Sequence, residues 1–539
     1  MDARTENEQV PQFEARVRAN QSHLAAELRG DYDFIVCGAG SSGCVVARRL
    51  ADNPDARVLL LEAGGYDDVP AVQSAASWLT NLGTTRDWGF TALPHSGVNG
   101  RAMPLSMGKV LGGGSSVNAM LWARGHRSDW DHFASESGDR SWGYESVLQI
   151  YRRIEDWHGT PDPKYRGSGG PVFVQPAPNP DALALATLEG ARAAGIPTYQ
   201  SPNGAMMEAD AGASLTDLRM RDGQRQSVFR SYTFPVMDRP NLTVLTHALV
   251  RRVVVEASQA TAVEVMHLGV VHRIRANVEV VLSLGAIHTP KVLMQSGIGD
   301  ERELRRAGVS VRHHLPGVGQ NYQDHIAFDC VWEFSEAPAT NSMGEATMYW
   351  KSSPERESPD LFACQVGFPK ATPENVAQFG LPTAGWILFG ALARPSSRGQ
   401  VRLTGPDPEQ PVEIQTNALS HPDDLRTAIA CVEKLREIGN SAPMRPLVKR
   451  EVMPGNLRGS ELEAYIRNAA STYWHQVGTA KMGRDTMAVV DSNLRVRGLN
   501  RLRIADGSIM PRITTGNTMA PCVVIGERAA DMLSIEHGL

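Results

Sequence analysis

The residues of this 539-residue chain best suited to chemistry begin with six in a row, Gly38-Ala39-Gly40-Ser41-Ser42-Gly43. Their spacing is that of a phosphate cradle. Gly38 permits a tight turn, Gly40 lets backbone N–H groups approach a pyrophosphate with no side chain between, and Gly43 lets the following helix lie close to the preceding strand. Glu62 stands 19 residues after Gly43, where a carboxylate accepts hydrogen bonds from ribose hydroxyls. The same carboxylate would repel a 2′-phosphate, which leaves NAD or FAD. A second run, Gly108-Lys109-Val110-Leu111-Gly112-Gly113-Gly114-Ser115-Ser116-Val117-Asn118, offers another place where backbone can come close to a ligand. Six cysteines are scattered along the chain without a CxxC pair, so they read as reduced and structural. His313, His314 and His325 lie beside a loop and a strand without metal-ligand geometry, so they too read as structural and no metal site is expected.

A glycine loop can do this work only if a strand and a helix hold it. Phe34-Ile35-Val36-Cys37 is short, apolar and β-branched, which suits a buried parallel strand. A helix from about Ser41 to Leu50 aims its free N–H groups and positive dipole end at the phosphate. Val58-Leu59-Leu60-Leu61 is the second strand, closed by Glu62. Beyond it, residues 66–105 read as a long excursion with short helices, carrying Trp78 and Trp88. A helix is expected over Pro180 to Ala194, a β-rich stretch over Leu242 to Val255, and a buried strand over Asn277 to Leu284. The run from Gly285 to Gly299 reads as a helix started by Pro290 and stopped by glycine. Helices are expected over Asp423 to Ile438 and about Ala520 to Leu533, with a short strand from Leu502 ending at Asp506-Gly507.

The length exceeds one ordinary core, so two or more domains are expected. Hydrophobic residues at 42% and charged residues at 21% suit a soluble globular protein. A net charge of −5 gives no reason to expect nucleic acid or an anionic membrane as partner. No run approaches the roughly 20 apolar residues of a membrane span. Residues 1–30 lack the apolar core of a signal peptide and read as an extra helix or a loose arm. Unpaired cysteines fit a cytoplasmic location.

Taken together with Pro316-Gly317-Val318-Gly319-Gln320-Asn321-Tyr322-Gln323-Asp324-His325 and the ending Trp474-His475…Asn517-Thr518, these motifs give the chain a clear likeness. It resembles the glucose–methanol–choline (GMC) oxidoreductases, FAD-dependent alcohol oxidases and dehydrogenases. The motifs stand in family order from about residue 31 to the end. The resemblance implies an α/β fold (α+β overall), with a discontinuous Rossmann-like FAD-binding domain and a sheet-based substrate-binding domain over the flavin face. The boundaries read as 31–155, 226–325 and 466–539 for the first, 156–225 and 326–465 for the second, and 1–30 for the N-terminal arm.

Residue by residue, the resemblance implies that Gly38, Gly40, Ser42 and Gly43 hold the pyrophosphate and Glu62 the adenosine ribose. Val110, Gly113, Gly114, Asn118, Ala119 and Met120 would lie along the ribityl chain and flavin, with Val253 at the adenine through its backbone. Ala505, Asp506, Asn517 and Thr518 would approach from the C-terminal side. Trp474, directly before His475, reads as an indole that covers the flavin, lines the pocket or packs in the core. His475 and Asn517 match the catalytic pair. Val117 stands where some members carry a histidine that binds FAD covalently, so non-covalent FAD is expected. Met107 replaces an arginine common in bacterial members, and nothing in the sequence accounts for it.

Alcohol oxidation needs a hydroxyl proton removed and a hydride delivered to flavin N5. Neutral His475 can take the proton and Asn517 can donate to the same oxygen. The expected substrate is an uncharged primary alcohol, aryl or furan or medium-chain alkyl, with oxygen or another acceptor reoxidising the flavin. Choline is disfavoured, because Ala327 stands where choline-oxidising members carry a glutamate. Two alternatives share the scaffold, a non-redox FAD-containing lyase and a light-dependent fatty acid decarboxylase.

Overall fold

The computed structural model describes residues 3–338, 341 and 344–539. Two seven-stranded sheets organise them. In the first, Leu242–Leu245, Val58–Leu61, Asp31–Cys37 and Val270–Leu282 lie side by side, and Leu502–Ile504 joins the far side of Val270–Leu282. All of these pairings are parallel. The register sets Cys37 opposite both Leu61 and Leu282, and Leu282 opposite Ile504. The strands therefore end level, and the first glycine loop leaves from that edge. Open parallel sheets place their ligands at such carboxyl ends.

Val270–Leu282 is longer than the sequence suggests. Its first half forms an antiparallel hairpin with Gln259–His267, which in turn pairs with Ala248–Glu256. Only its second half is the fully apolar strand that periodicity reveals. The stretch from Leu242 to Val255 is two strands, parted where His247 takes a positive φ of 54°.

The helix Ser41–Leu50 lies where expected. A Cβ at Gly43 would stand 1.9 Å from the Gly38 carbonyl oxygen, so glycine is what lets helix and strand touch. Expectation fails at Pro290. The helix is Gly285–Gln295, and the proline sits inside it rather than at its start. Proline cannot donate to the carbonyl four residues back. Here that carbonyl, Ala286 O, accepts instead from Thr479 Oγ1 at 2.5 Å.

The second sheet is antiparallel throughout, in the order Val448–Met453, Ile326–Phe334, Gly385–Leu392, Leu361–Val366, Ala346–Trp350, Gly212–Leu215. Ser471–Thr472 also pairs with Ile326–Phe334, so the chain leaves this sheet just before Trp474 and His475. Pro422–Gly439 buries Ala428, Cys431, Leu435 and Ile438, one face at helical spacing. It seats over Gly390, where a Cβ would meet Leu435 and Cys431 within 2.8 Å.

The N-terminal residues form a helix, Ala3–Ala26. Gln21 completes the exposed edge of Leu242–Leu245 as a neighbouring strand would. Its Nε2 donates to Leu242 O at 2.9 Å and its Oε1 accepts from Val244 N at 2.8 Å. No helix among the described residues is long and apolar enough to cross a membrane.

Candidate active site

At the carboxyl ends of the first sheet lies a cavity of about 300 Å³, walled on its far side by residues of the second sheet. Gly40 caps the helix Ser41–Leu50 without any side-chain cap, and no acidic residue stands in the first turn. The first N–H groups of that helix are free for an anion. A Cβ at Gly40 would find nothing nearer than Ser283 O at 3.9 Å, and one at Gly114 nothing within 4 Å. Both glycines line the cavity, so the room their missing side chains leave belongs to the ligand.

The second glycine run folds onto the first. Gly112 N donates to Ala39 O at 2.7 Å, and Gly113 rests on Gly40, where a Cβ would stand 2.9 Å from its Cα. Glu62 closes the strand Val58–Leu61. Its Oε2 accepts from Ala39 N at 3.1 Å and its Oε1 from Gly64 N at 2.8 Å. Each oxygen keeps a lone pair for a ribose hydroxyl. Burial raises its pKa to about 7, against the pull of those backbone N–H groups and the Lys109 charge. The free helix end, the open glycines and this acceptor fit a dinucleotide.

His475 and Asn517 meet at the other end. Asn517 Nδ2 lies 3.1 Å from His475 Nε2. His475 Nδ1 lies 2.8 Å from His325 Nδ1, and His325 Nε2 lies 2.9 Å from the Thr514 carbonyl oxygen. A carbonyl only accepts, so His325 carries its hydrogen on Nε2. Burial keeps His325 neutral, driving its pKa well below the ordinary value with the neighbouring His475 adding to the effect, so its Nδ1 is an acceptor. The hydrogen between the rings then belongs to His475 Nδ1, and His475 Nε2 is left with a lone pair. Burial lowers the His475 pKa to about 3, so this imidazole is neutral and its free nitrogen is a base.

The backbone holds that ring in place. Trp474 sits at a φ of 61°, a costly conformation for an aromatic residue. It is pinned by Thr472 Oγ1, which accepts from Trp474 N at 2.7 Å. Asp324 accepts from His475 N at 3.0 Å and from the Thr472 hydroxyl. Gln323 Oε1 accepts from Ile513 N at 3.2 Å, next to Thr514. Gln323, Asp324 and His325, between the strands Gln320–Tyr322 and Ile326–Phe334, thus each bond to a loop of the catalytic pair. Reading His325 as an ordinary structural histidine misses this, because its partner is 150 residues away. The one available signal was its place at the end of the Gln-Asp-His run.

Gly38, Gly40, Ser42, Glu62, Gly113, Gly114, Asn118, Ala119, Trp474, Asp506 and Thr518 all line the cavity with the pair. Gly43, Val110, Met120, Val253 and Ala505 do not. Gly43 is a packing glycine. Val110 bridges to Gly65, and Met120 is buried in a small apolar cluster with Leu218 and Met220. The Val253 N–H is spent on Ser296 Oγ at 2.8 Å, and Leu249 and Val250 of that strand face the cavity instead. The Ala505 N–H and C=O are both taken, by Leu282 O and Ser283 Oγ. Asp506 spends its carboxylate on Gly285 N, Thr289 Oγ1 and Ser508 N. Met107 lines the cavity with its methyl group beside Gly285, and nothing in the structure explains why it replaces an arginine. Among the described residues one group has metal-like proximity, Glu279, Glu536 and His537. It surrounds the Arg503 guanidinium and lies outside the cavity.

Family models described as GMC oxidoreductase match residues 32–327 and 395–526. The chain is 34% identical to an alcohol dehydrogenase [acceptor] of Pseudomonas putida, over 93% of this chain and 95% of that one. It is 35% identical to a mitochondrial choline dehydrogenase of Homo sapiens, over 95% and 91%. Among solved structures it superposes on pyridoxine 4-oxidase from Mesorbium loti with a TM-score of 0.89 at 31% identity, covering 93% of this chain and 98% of that one.

Proposed function

We propose that this chain, which belongs to the GMC oxidoreductase family and is an FAD-dependent oxidoreductase of CH–OH donors, oxidises an uncharged primary alcohol to its aldehyde with His475 as base. FAD, when bound, supplies the hydride acceptor. The glycine loops and Glu62 would hold its pyrophosphate and ribose, and Asn118, Ala119 and Trp474 its flavin end. Val117 offers no nucleophile, so it would be held non-covalently.

The protein's own work is to place and deprotonate the alcohol. The hydroxyl oxygen would sit beside the 3.1 Å contact of His475 Nε2 with Asn517 Nδ2, within hydrogen-bond reach of both, and take over both partners. The imidazole accepts the proton as the C–H bond weakens, and the amide donates to the same oxygen. The observation that carries this reading is the hydrogen-bond chain from the Thr514 carbonyl through His325, which puts the His475 hydrogen on Nδ1 and leaves the Nε2 lone pair toward Asn517 Nδ2, with both residues lining the cavity. Anaerobic stopped-flow reduction of His475→Ala by saturating alcohol tests it. The variant should keep its flavin and reduce it ~10²–10⁴-fold more slowly, the usual worth of a general base. Reduction near the wild-type rate would remove His475 from the mechanism.

The substrate class rests on the walls beside the pair. Trp78, Phe389, Tyr473 and Trp474 are aromatic and Val366 and Cys364 are apolar; the carboxylates among the described lining residues are Glu62, Asp87 and Asp506. Lys370 Nζ sits 4.0 Å from the Phe389 ring centroid, paired with Asp329 at 3.2 Å. That ammonium opposes a second cation on the same ring. The same aromatic walls favour a second reading, choline, whose trimethylammonium could rest on Trp78 or Trp474; several relatives are named for it. Turnover efficiency with benzyl alcohol against choline separates the two, and higher efficiency with choline would sink the first.

A further inference from the structure

Two arginines behind the flavin end of the cavity have no counter-charge. Arg219 is fully buried and Arg225 is 4% exposed, and neither makes an ion pair among the described residues. They flank a hairpin whose turn, Asp222-Gly223, has φ of 50° and 72°. The hairpin docks through Arg219 N, which donates to Met120 O at 2.9 Å. Burial lowers the Arg219 pKa to about 9, and burial together with the Arg219 charge does the same to Arg225. Both stay protonated at neutral pH. Their acceptors are neutral: Arg219 Nη1 donates to Gln226 O at 2.5 Å, and Arg225 donates to Val72 O at 2.9 Å and Ser115 O at 3.3 Å, so their charge is solvated by dipoles and not cancelled.

Both cations converge on one atom. Asn118 Oδ1 accepts from Arg225 Nη1 at 3.0 Å, from Arg219 Nη2 at 3.4 Å and from Met120 N at 3.0 Å. Three donors settle which way the amide points. Its Nδ2 makes no hydrogen bond to the described residues, and Asn118 lines the cavity, so a polarised N–H faces the ligand. We propose that Arg219 and Arg225 act through Asn118 to stabilise negative charge on the isoalloxazine ring, raising the flavin's reduction potential. A bound flavin that took up a hydride would gain one negative charge; His475, having taken the hydroxyl proton, would balance it only until that proton leaves, and the two guanidinium groups would then favour the anionic ring.

The inference rests on FAD occupying this cavity, and its test uses no alcohol. The readouts on flavin-loaded protein are the two-electron potential against reference dyes and the dissociation constant for sulfite, an anion that adds to flavin. Arg219→Met and Arg225→Met should each weaken sulfite binding at least tenfold. Their two-electron equilibrium should also fall tenfold, a drop of about 30 mV. Arg219→Lys and Arg225→Lys, which keep the charge, should stay within threefold of wild type. Unchanged potential in the flavin-loaded methionine variants would overturn the inference. Loss of FAD affinity at unchanged potential would do the same, assigning the pair to the pyrophosphate. Should both methionine variants come out free of flavin, Asn118→Leu decides, since it cuts the amide and leaves both cations: a lowered potential upholds the inference and an unchanged one overturns it. A wild-type protein that binds no flavin would sink the proposed function as well, which none of these variant outcomes does.

Discussion

His325→Phe is the perturbation that probes the site most directly. His325 fixes the tautomer of His475 by two hydrogen bonds, one of 2.8 Å to His475 Nδ1 and one of 2.9 Å from its own Nε2 to Thr514 O. Phenylalanine fills the space beside Phe362, whose ring centroid lies 4.9 Å away, and makes neither bond. His475 Nδ1–H is then buried without a partner, which costs ~1–3 kcal/mol. The ring can recover that energy by moving its hydrogen to Nε2, where the substrate oxygen offers a partner, but Nε2 is then no longer a base. At ~1.4 kcal/mol per tenfold, the base-competent population falls ~5- to 150-fold. Anaerobic reduction of the flavin by saturating alcohol should slow by that factor while FAD stays bound. His325→Asn restores an acceptor near the Nδ1 position but not the donor to Thr514, so it should lose less than His325→Phe. Equal rates in wild type and flavin-loaded His325→Phe would refute the tautomer argument.

Gly40→Val should leave the melting temperature of the apoprotein almost unchanged, because Gly40 has φ −75° and open space beside it, yet it should abolish flavin binding, read as loss of flavin absorbance from the purified protein. Acid precipitation of the holoprotein should release all yellow colour to the supernatant; colour kept in the pellet would contradict non-covalent attachment at Val117. His288 lies 4.0 Å from the Trp88 ring, and burial with the Lys291 and Lys109 charges lowers its pKa to about 3. Above pH 6.5 it is neutral folded or unfolded; between 6.5 and 3 the unfolded chain binds the extra proton, so stability falls with pH by up to ~1.4 kcal/mol per unit. His288→Leu should lose less stability than wild type between pH 6.5 and 4 in urea titrations, and parallel losses would count against a neutral His288.

What the sequence by itself determined is what local signals carry. The strand, glycine loop, helix and Glu62 are written within 29 residues, Phe34 to Glu62, each element deciding the next by apolar run, turn chemistry and spacing, and the helix Ser41–Leu50 falls where that reading puts it. His475 and Asn517 were legible only through likeness to a family, because nothing local distinguishes them. Tertiary structure alone decided the rest. Pro290 lies inside a helix because Thr479, 189 residues on, takes the carbonyl it orphans. Val253 does not line the cavity, and its N–H is spent on Ser296 Oγ. The base-competent tautomer of His475 depends on His325 and a carbonyl at Thr514, and the unpaired charge of Arg219 and Arg225 is visible only once burial is known. Hydrogen bonds and desolvation depend on which atoms meet in space, and sequence spacing holds no record of meetings between residues a hundred or more positions apart.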